Sequence, residues 1–273
     1  MAAPIRIDDP EDPRLAPYRD VRERDLVGRL GGFIAEGEVV VRALARSRLH
    51  RPDSLLLAEK RVDALADVIE RLPTETPVYA ASQAVMDAVV GFPIHRGILA
   101  AGRRGAPVDP GGLLAGLPSR ALVLVLCGIS NHDNVGGLFR NAAAFGADAV
   151  LLDARCSDPL YRKAIRVSVG AALNVPFARL ADGADPLGLL AAHGFEALAL
   201  SPRGEMRLAE LSPAPRTAVL VGAEGPGLSD EFLARARTVR IPMAKGFDSL
   251  NVSVSAGIVL HHLRPDDPQG ERG

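Results

Sequence analysis

The chain has 273 residues, 48% hydrophobic and 24% charged, with a formal net charge of −1; it is long enough to bury a substantial core in one large or two ordinary domains. That balance gives no global pull toward nucleic acid, and the absence of Trp with only 4% aromatics argues against a surface of stacked rings, so any RNA contact must come from local patches. Two cysteines without metal spacing or disulfide density suit a reducing compartment, the first residues lack an apolar leader core, and no stretch approaches a membrane span of about 20 residues; the expectation is a cytoplasmic protein with no membrane partner.

Residues 1–30 mix Pro, Asp and Arg and are expected to form an arm over the first domain, with a polar helix over Asp20–Arg29. From there to residue 105 the chain alternates. Strands are expected at 33–35, 54–58, 77–80 and 97–101, and helices at 38–46, around Val62, Leu65, Val68, Ile69 and Leu72, and from a Ser82 cap to Val89. This reads as a small α/β domain. Its Arg42, Arg46, Arg48, His50 and Arg51, with Arg96, Arg103 and Arg104, form either a solvated surface or a set of phosphate contacts. Residues 106–120, rich in Gly and Pro, read as the linker, with a short helical turn over 112–115.

A second domain is expected over 121–264, followed by a flexible tail over 265–273. Ala121 to Gly128 is a continuous apolar run, as in a strand buried on both faces of a parallel sheet. Asn134 stands where a helix N-cap is expected, Arg140 falls in the second turn, and Gly146 ends that helix. Further strands are expected at 149–153, 176–180, 195–201, 217–222 and 238–241, with helices at 160–169, 186–193 and 229–236. Asn251 is expected to cap a last helix whose first turns carry Ser253, Ser255, Ala256 and Gly257, small enough for close approach of a backbone or a ligand, and Pro265 supplies its stop. Alternating β and α segments with short connections predict a parallel sheet covered by helices.

Chemistry in such sheets gathers where the strands end. Three loops stand out there: Asn131 to Gly137, Gly222-Ala-Glu224-Gly-Pro-Gly227-Leu228, and Ala244 to Asn251. The glycine order of the second is not that of a dinucleotide fingerprint, and no lysine follows it as in a phosphate-cradling loop. The histidines are scattered, or adjacent at 261 and 262 and so on different helix faces, which disfavours a metal. No G-x-S-x-G elbow is present, and Cys127 reads as core.

Taken together, Asn131-xx-Asn134-x-Gly136-xxx-Arg140-x-Ala142, Gly222-Ala-Glu224-Gly-Pro-Gly-Leu228, and Ile241-Pro-Met243 with Ser249-Leu-Asn251-Val-Ser253 resemble the three ordered motifs of the SpoU (TrmH-type) RNA 2'-O-ribose methyltransferases of the SPOUT superfamily. The first half more loosely resembles the ribosomal-protein-like RNA substrate-binding domain of that family, through Phe33-Ile-Ala-Glu-Gly37 and Arg96-Gly-Ile-Leu-Ala100. The resemblance implies an α/β fold, a parallel sheet with a C-terminal trefoil knot, acting as a homodimer. It implies S-adenosylmethionine as cofactor and transfer of its methyl to a ribose 2'-hydroxyl of ribosomal or transfer RNA. Gly222, Ile241 and Leu250 match positions whose backbone holds the cofactor, with Met243, Gly227 and Ser201 beside them; Asn134, Arg140, Glu224, Ser249 and Asn251 match the polar residues of the active site. In the family the arginine at the position of Arg140 is proposed to take the 2'-hydroxyl proton. A guanidinium is charged at any ordinary pH, so a phosphate clamp that steadies the forming alkoxide is the alternative role. The rival reading is an RNA-binding protein of the same fold without catalysis.

Overall fold

A computed structural model describes residues 4–19, 31–91, 93–94 and 96–264. The helix expected over 20–29 and the tail over 265–273, with Pro265, lie outside the described residues.

The chain divides into two compact units, one of residues 1–106 with 158–174, the other of residues 107–157 with 175–273. The first crossing falls at the start of the expected linker. The segment 158–174, expected within the second domain, belongs instead to the first unit. Polar contacts tie it there: Arg162 Nε donates to Glu36 Oε2 at 2.9 Å, Ser47 Oγ donates to the Leu173 carbonyl at 2.5 Å, and Asn174 Nδ2 donates to the Ala43 carbonyl at 3.2 Å.

The first unit holds a mixed five-stranded sheet built from β1 (Ile5–Ile7), β2 (Gly32–Glu36), β3 (His50–Ala58), β4 (Val78–Ala81) and β5 (Ile98–Arg104), in the order β1-β4-β3-β5-β2. Residues 5–7, expected in an arm, are an edge strand parallel to β4, and Ile7 is buried. Leu15 and Tyr18 follow it into a core with Leu56, Met86 and Leu99. Burial of the Tyr18 ring is made tolerable by a partner for its hydroxyl, Ser54 Oγ at 2.7 Å.

His50 is buried in this unit, its Nδ1 accepting from the Gly105 N–H at 3.2 Å. Burial pulls its imidazole down to about 4; Arg104 acts in the same direction and Asp158 opposes it. The unfolded chain therefore takes up a proton near pH 6.5 that the native chain refuses until about pH 4, so the contribution of His50 to native stability is constant above that window and turns unfavourable as pH drops through it. Urea unfolding should show a loss from this group of roughly 2 kcal/mol between pH 7 and pH 5. His50→Asn, which keeps an acceptor for Gly105, should flatten that loss.

The second unit is a seven-stranded, wholly parallel sheet: β6 (Ala121–Cys127), β7 (Ala149–Leu152), β8 (Phe177–Arg179), β9 (Glu196–Leu200), β10 (Met206–Arg207), β11 (Arg216–Gly222) and β12 (Arg237–Arg240), in the order β10-β12-β9-β11-β6-β7-β8. All seven residues of β6 are buried, as its unbroken apolar run predicts. Val123, Val125 and Leu220 pack on one face with Leu114, Leu187 and Leu190 from helices Pro110–Ala115 and Pro186–Ala192. Full burial of a leucine or valine is worth roughly 2 kcal/mol, so this face alone is a large share of the unit's stability. Helix Val252–Leu263 packs against both helix His132–Ala144 and β11.

Part of the expected linker is structured. Asp109 caps helix Pro110–Ala115, and Arg216 donates to the carbonyls of Leu114 and Pro118 at 2.7 and 2.8 Å while lying over the Phe195 ring at 4.4 Å. The guanidinium thus ties the end of this helix and the turn after it to the start of β11. Both cysteines are buried and their thiols are pushed up to about 12 by that burial, which leaves them as inert core groups at neutral pH.

Candidate active site

Strand order fixes where the site forms. β12, β9 and β11 are neighbours in a parallel sheet, so their C-terminal ends, at Arg240, Leu200 and Gly222, open on one edge. A cavity of about 520 Å3 lies over these ends. Ser201, Gly222, Gly227, Ile241, Met243 and Leu250 all line it, as do Glu224, Ser249 and Asn251.

The second glycine-rich loop folds as a tight return. Gly227 N–H donates to the Ala223 carbonyl at 2.9 Å, and Gly225 and Gly227 take positive φ angles of 87° and 71° that a side chain would disfavour. Gly222 has a different reason to be glycine. A Cβ there would stand 2.2 Å from the Gly227 carbonyl carbon, so only a bare backbone lets the loop close over the end of β11.

Asn251 joins the loops. Its Oδ1 accepts from the N–H groups of Ser253 at 2.9 Å and Val254 at 3.4 Å, and from Ser253 Oγ at 2.6 Å, which makes it the N-cap of the last helix. With the oxygen committed, the amide can turn only one way. Its Nδ2 then donates to Asn134 Oδ1 at 2.9 Å and to Glu224 Oε1 at 3.0 Å. One side chain thereby uses both amide hydrogens to hold a residue of each of the other two loops.

Asn134 is not the cap of its helix. The N-cap is Asn131, whose Oδ1 accepts from the Asp133 N–H at 2.8 Å, and Asn134 lies in the first turn, buried, with its side chain turned to Asn251. A polar side chain at 6% exposure needs such a partner. Glu224 and Ser249 are exposed, and Ser249 Oγ makes a long contact of 3.4 Å to Asp248 Oδ1. Arg140 is exposed on helix His132–Ala144 and is not among the residues lining the cavity.

In the sequence Ser255 stands out only as one of several small residues that allow close approach, and Asn141 carries no signal. Ser255 lines the cavity one helical turn after Asn251, a spacing that puts both on one helix face. Asn141 donates through Nδ2 to the Ser253 carbonyl, and it lies against Gly257, where a Cβ would stand 3.1 Å from Nδ2. The small residues of the last helix serve that approach. A Cβ on Gly137 would likewise stand 2.8 Å from Ser253 Cβ.

The lining suits a small ligand with both apolar and polar parts. Leu200, Val221, Val239, Ile241, Leu250 and Val252 supply apolar walls, and Ser201, Glu224, Ser249, Asn251 and Ser255 supply convergent polar groups, in a volume typical of small-molecule sites. Among the described residues no group of three or more His, Cys, Asp or Glu is placed to hold a metal ion, and no helix is long and apolar enough to cross a membrane.

Comparison with known proteins adds the lineage of this arrangement. The SpoU rRNA methylase family matches residues 121–261. A Mycobacterium bovis protein described as an uncharacterized tRNA/rRNA methyltransferase is 42% identical over 94% of this chain and 93% of its own length. Among solved structures, an RNA 2'-O ribose methyltransferase is 28% identical with a TM-score of 0.73, covering 95% of this chain and 98% of that one. The AdoMet-bound rRNA methyltransferase from Sinorhizobium meliloti shares the fold, with a TM-score of 0.76 at 21% identity over 95% of this chain and 97% of that one.

Proposed function

The chain belongs to the SpoU rRNA methylase family, and from that premise we propose that it transfers a methyl group from S-adenosylmethionine to a ribose 2'-hydroxyl of structured ribosomal or transfer RNA. The observation that carries this reading is the cavity at the ends of β9, β11 and β12, over which Asn251 ties the three motif loops together.

Ser201, Gly222, Gly227, Ile241, Met243 and Leu250 would hold the cofactor, which when bound supplies a methyl on a positively charged sulfonium. The remaining work falls to the chain's own groups. Methyl transfer to oxygen is an in-line displacement, so the hydroxyl must be aimed and its weak acidity offset. Asn251, with both amide hydrogens engaged, fixes Glu224 at the cavity rim and Asn134 beneath it. Ser249, exposed on the lining, offers a hydroxyl to the incoming ribose. Arg140 is permanently charged and is read as the clamp that holds an adjoining phosphate and steadies negative charge on the attacking oxygen while its proton is lost to solvent.

The passage of the chain from β12 through residues 241–251, back to a helix packed on β11 and on helix His132–Ala144, is read as the knot of the family. The homodimer belongs to the same reading. Val254 and Ile258, one helical turn apart, are 50% and 39% exposed on the last helix, and Leu250 just before it is 42% exposed. A second copy laid on that stripe would cover it beside the cavity. Val254→Asp with Ile258→Asp should shift sedimentation from dimer to monomer and reduce activity, whereas a dimer that withstands both charges would place the interface elsewhere.

The enzymatic claim is tested by incubating the protein with labelled S-adenosylmethionine and total ribosomal and transfer RNA, then mapping 2'-O-methylation. Label in RNA at a ribose oxygen is expected. Label on a base, or none in any RNA, would sink the claim; tight RNA binding without cofactor binding would favour the non-catalytic reading.

A further inference from the structure

The first unit carries a second cavity, of about 410 Å3, that the methyl-transfer site does not use. It opens at the start of helix Glu38–Ala45, and its lining includes Glu38, Val39, Arg61, Arg96, Arg166 and Val169. Residues 166 and 169 come from the segment that joins the first unit from far along the chain.

The charge placement here is only partly the usual one: Glu38 stands in the first turn, but three guanidinium groups gather around it. A helix start carries the positive end of the helix dipole and favours acidic neighbours. Gly37, the N-cap, offers no side-chain oxygen to the first free N–H groups, and at φ 91° it leaves room for Arg96: a Cβ at residue 37 would lie 2.8 Å from Arg96 Nη1. Arg96 is thus laid across the positive end of the helix. The one carboxylate in the lining is already shared, since Glu38 accepts from Arg42 Nε at 3.0 Å and from Arg61 Nη2 at 2.7 Å. Arg96 and Arg166 are exposed and neither pairs with a carboxylate among the described residues. The Arg61 Nε is buried without a partner. Val169 adds a backbone signature: it is a β-branched residue at φ 55°, a conformation of appreciable cost that recurs at ligand sites. Its side chain and that of Val39 remain 39% and 58% exposed at the cavity.

Three guanidinium groups, the start of a helix and one neutralised carboxylate leave an uncompensated positive site of bounded volume. We propose that this cavity binds a phosphate diester of the RNA substrate through Arg96 and Arg166, with the open helix start beneath and the two exposed valines against the adjoining sugar. The site positions RNA and reads no sequence. It rests on RNA being the substrate, and not on which atom is methylated.

The test uses the full chain, with ribosomal and transfer RNA as probes in separate titrations across a range of salt. Arg96→Glu with Arg166→Glu should weaken RNA binding by about tenfold or more and lower the slope of log affinity against log salt by one to two. Arg96→Lys with Arg166→Lys should retain most of both. The melting temperature and cofactor binding should be unchanged, because both side chains are exposed and neither lies in the second unit. RNA affinity and salt slope equal to wild type would overturn the proposal, as would a wild-type protein that binds neither RNA. Inorganic phosphate separates the sources of the anion: phosphate binding lost in the charge-reversed variant while RNA affinity stays unchanged would assign the cavity to a free anion instead. If the variants lose RNA binding and the wild type methylates no RNA, this site stands while the methyl-transfer reading falls.

Discussion

Asn251→Asp is expected to lower methyl transfer by about a hundredfold or more while keeping the cap of the last helix. Aspartate caps a helix as well as asparagine does, so the bonds from Ser253 and Val254 persist. What disappears is the donor. Asn134 Oδ1 loses its amide partner while buried, and a second carboxylate arrives about where an amide hydrogen met Glu224 Oε1 at 3.0 Å. The two acids repel and Glu224 leaves its place at the rim. Displacement of a positioned group by about 1 Å is enough for a loss of that size. Asn251→Ala should give a similar kinetic loss and also cost about 1 kcal/mol of stability, because the cap goes too. The pair of variants separates positioning from folding. Adding Glu224→Gln to Asn251→Asp returns a donor to the contact and should recover part of the rate, a coupling that a double-mutant cycle measures. Single-turnover rates at saturating cofactor, with melting temperatures alongside, are the readouts. A wild-type rate in Asn251→Asp would remove this bond network from the mechanism.

How far the sequence reveals this arrangement depends on what kind of information each element carries. β6 is legible because a strand buried on both faces has no polar position to interrupt it, and Ala121–Cys127 has none. The loop Gly222–Gly227 is legible as a tight turn because turn chemistry is local: a left-handed φ or a close approach demands glycine at that position whatever surrounds it. Strand order is not local, and nothing in the residues of β9 says that β11 and β12 flank it. The same holds for 158–174. Its short helix buries Ala164 and Ile165, a pattern that fits any sheet face, and only long-range pairings such as Arg162 with Glu36, Ser47 with the Leu173 carbonyl and Asn174 with the Ala43 carbonyl assign it to the first unit. Asn131 and Asn134 illustrate a closer ambiguity. Either can cap a helix beginning after it; the choice falls to Asn131 because Asn134 has a partner 117 residues away that no local pattern reveals.

Arg140→Ala is expected to reduce the rate of methyl transfer by about a hundred- to a thousandfold, the cost of removing one preorganised charge from a site where negative charge develops. Cofactor affinity should change little, since Arg140 does not line the cavity. The side chain is exposed and makes no ion pair or hydrogen bond among the described residues, so its removal breaks nothing that holds the fold. That freedom is itself informative: an exposed guanidinium without a carboxylate keeps its full charge for an incoming phosphate. The two roles open to it make different predictions for Arg140→Lys. A clamp depends on charge and on the two-pronged geometry of the guanidinium, so lysine should recover part of the rate with no new dependence on pH. A base depends on losing its proton, and lysine, with an ordinary pKa near 10.4, should then drive the rate upward as pH approaches that value. Single-turnover rates across pH 6 to 10, corrected for protein unfolding at the extremes, distinguish them. A flat profile with partial recovery supports the clamp, a rate that climbs with pH only in the lysine variant supports the base, and full activity in Arg140→Ala would exclude both.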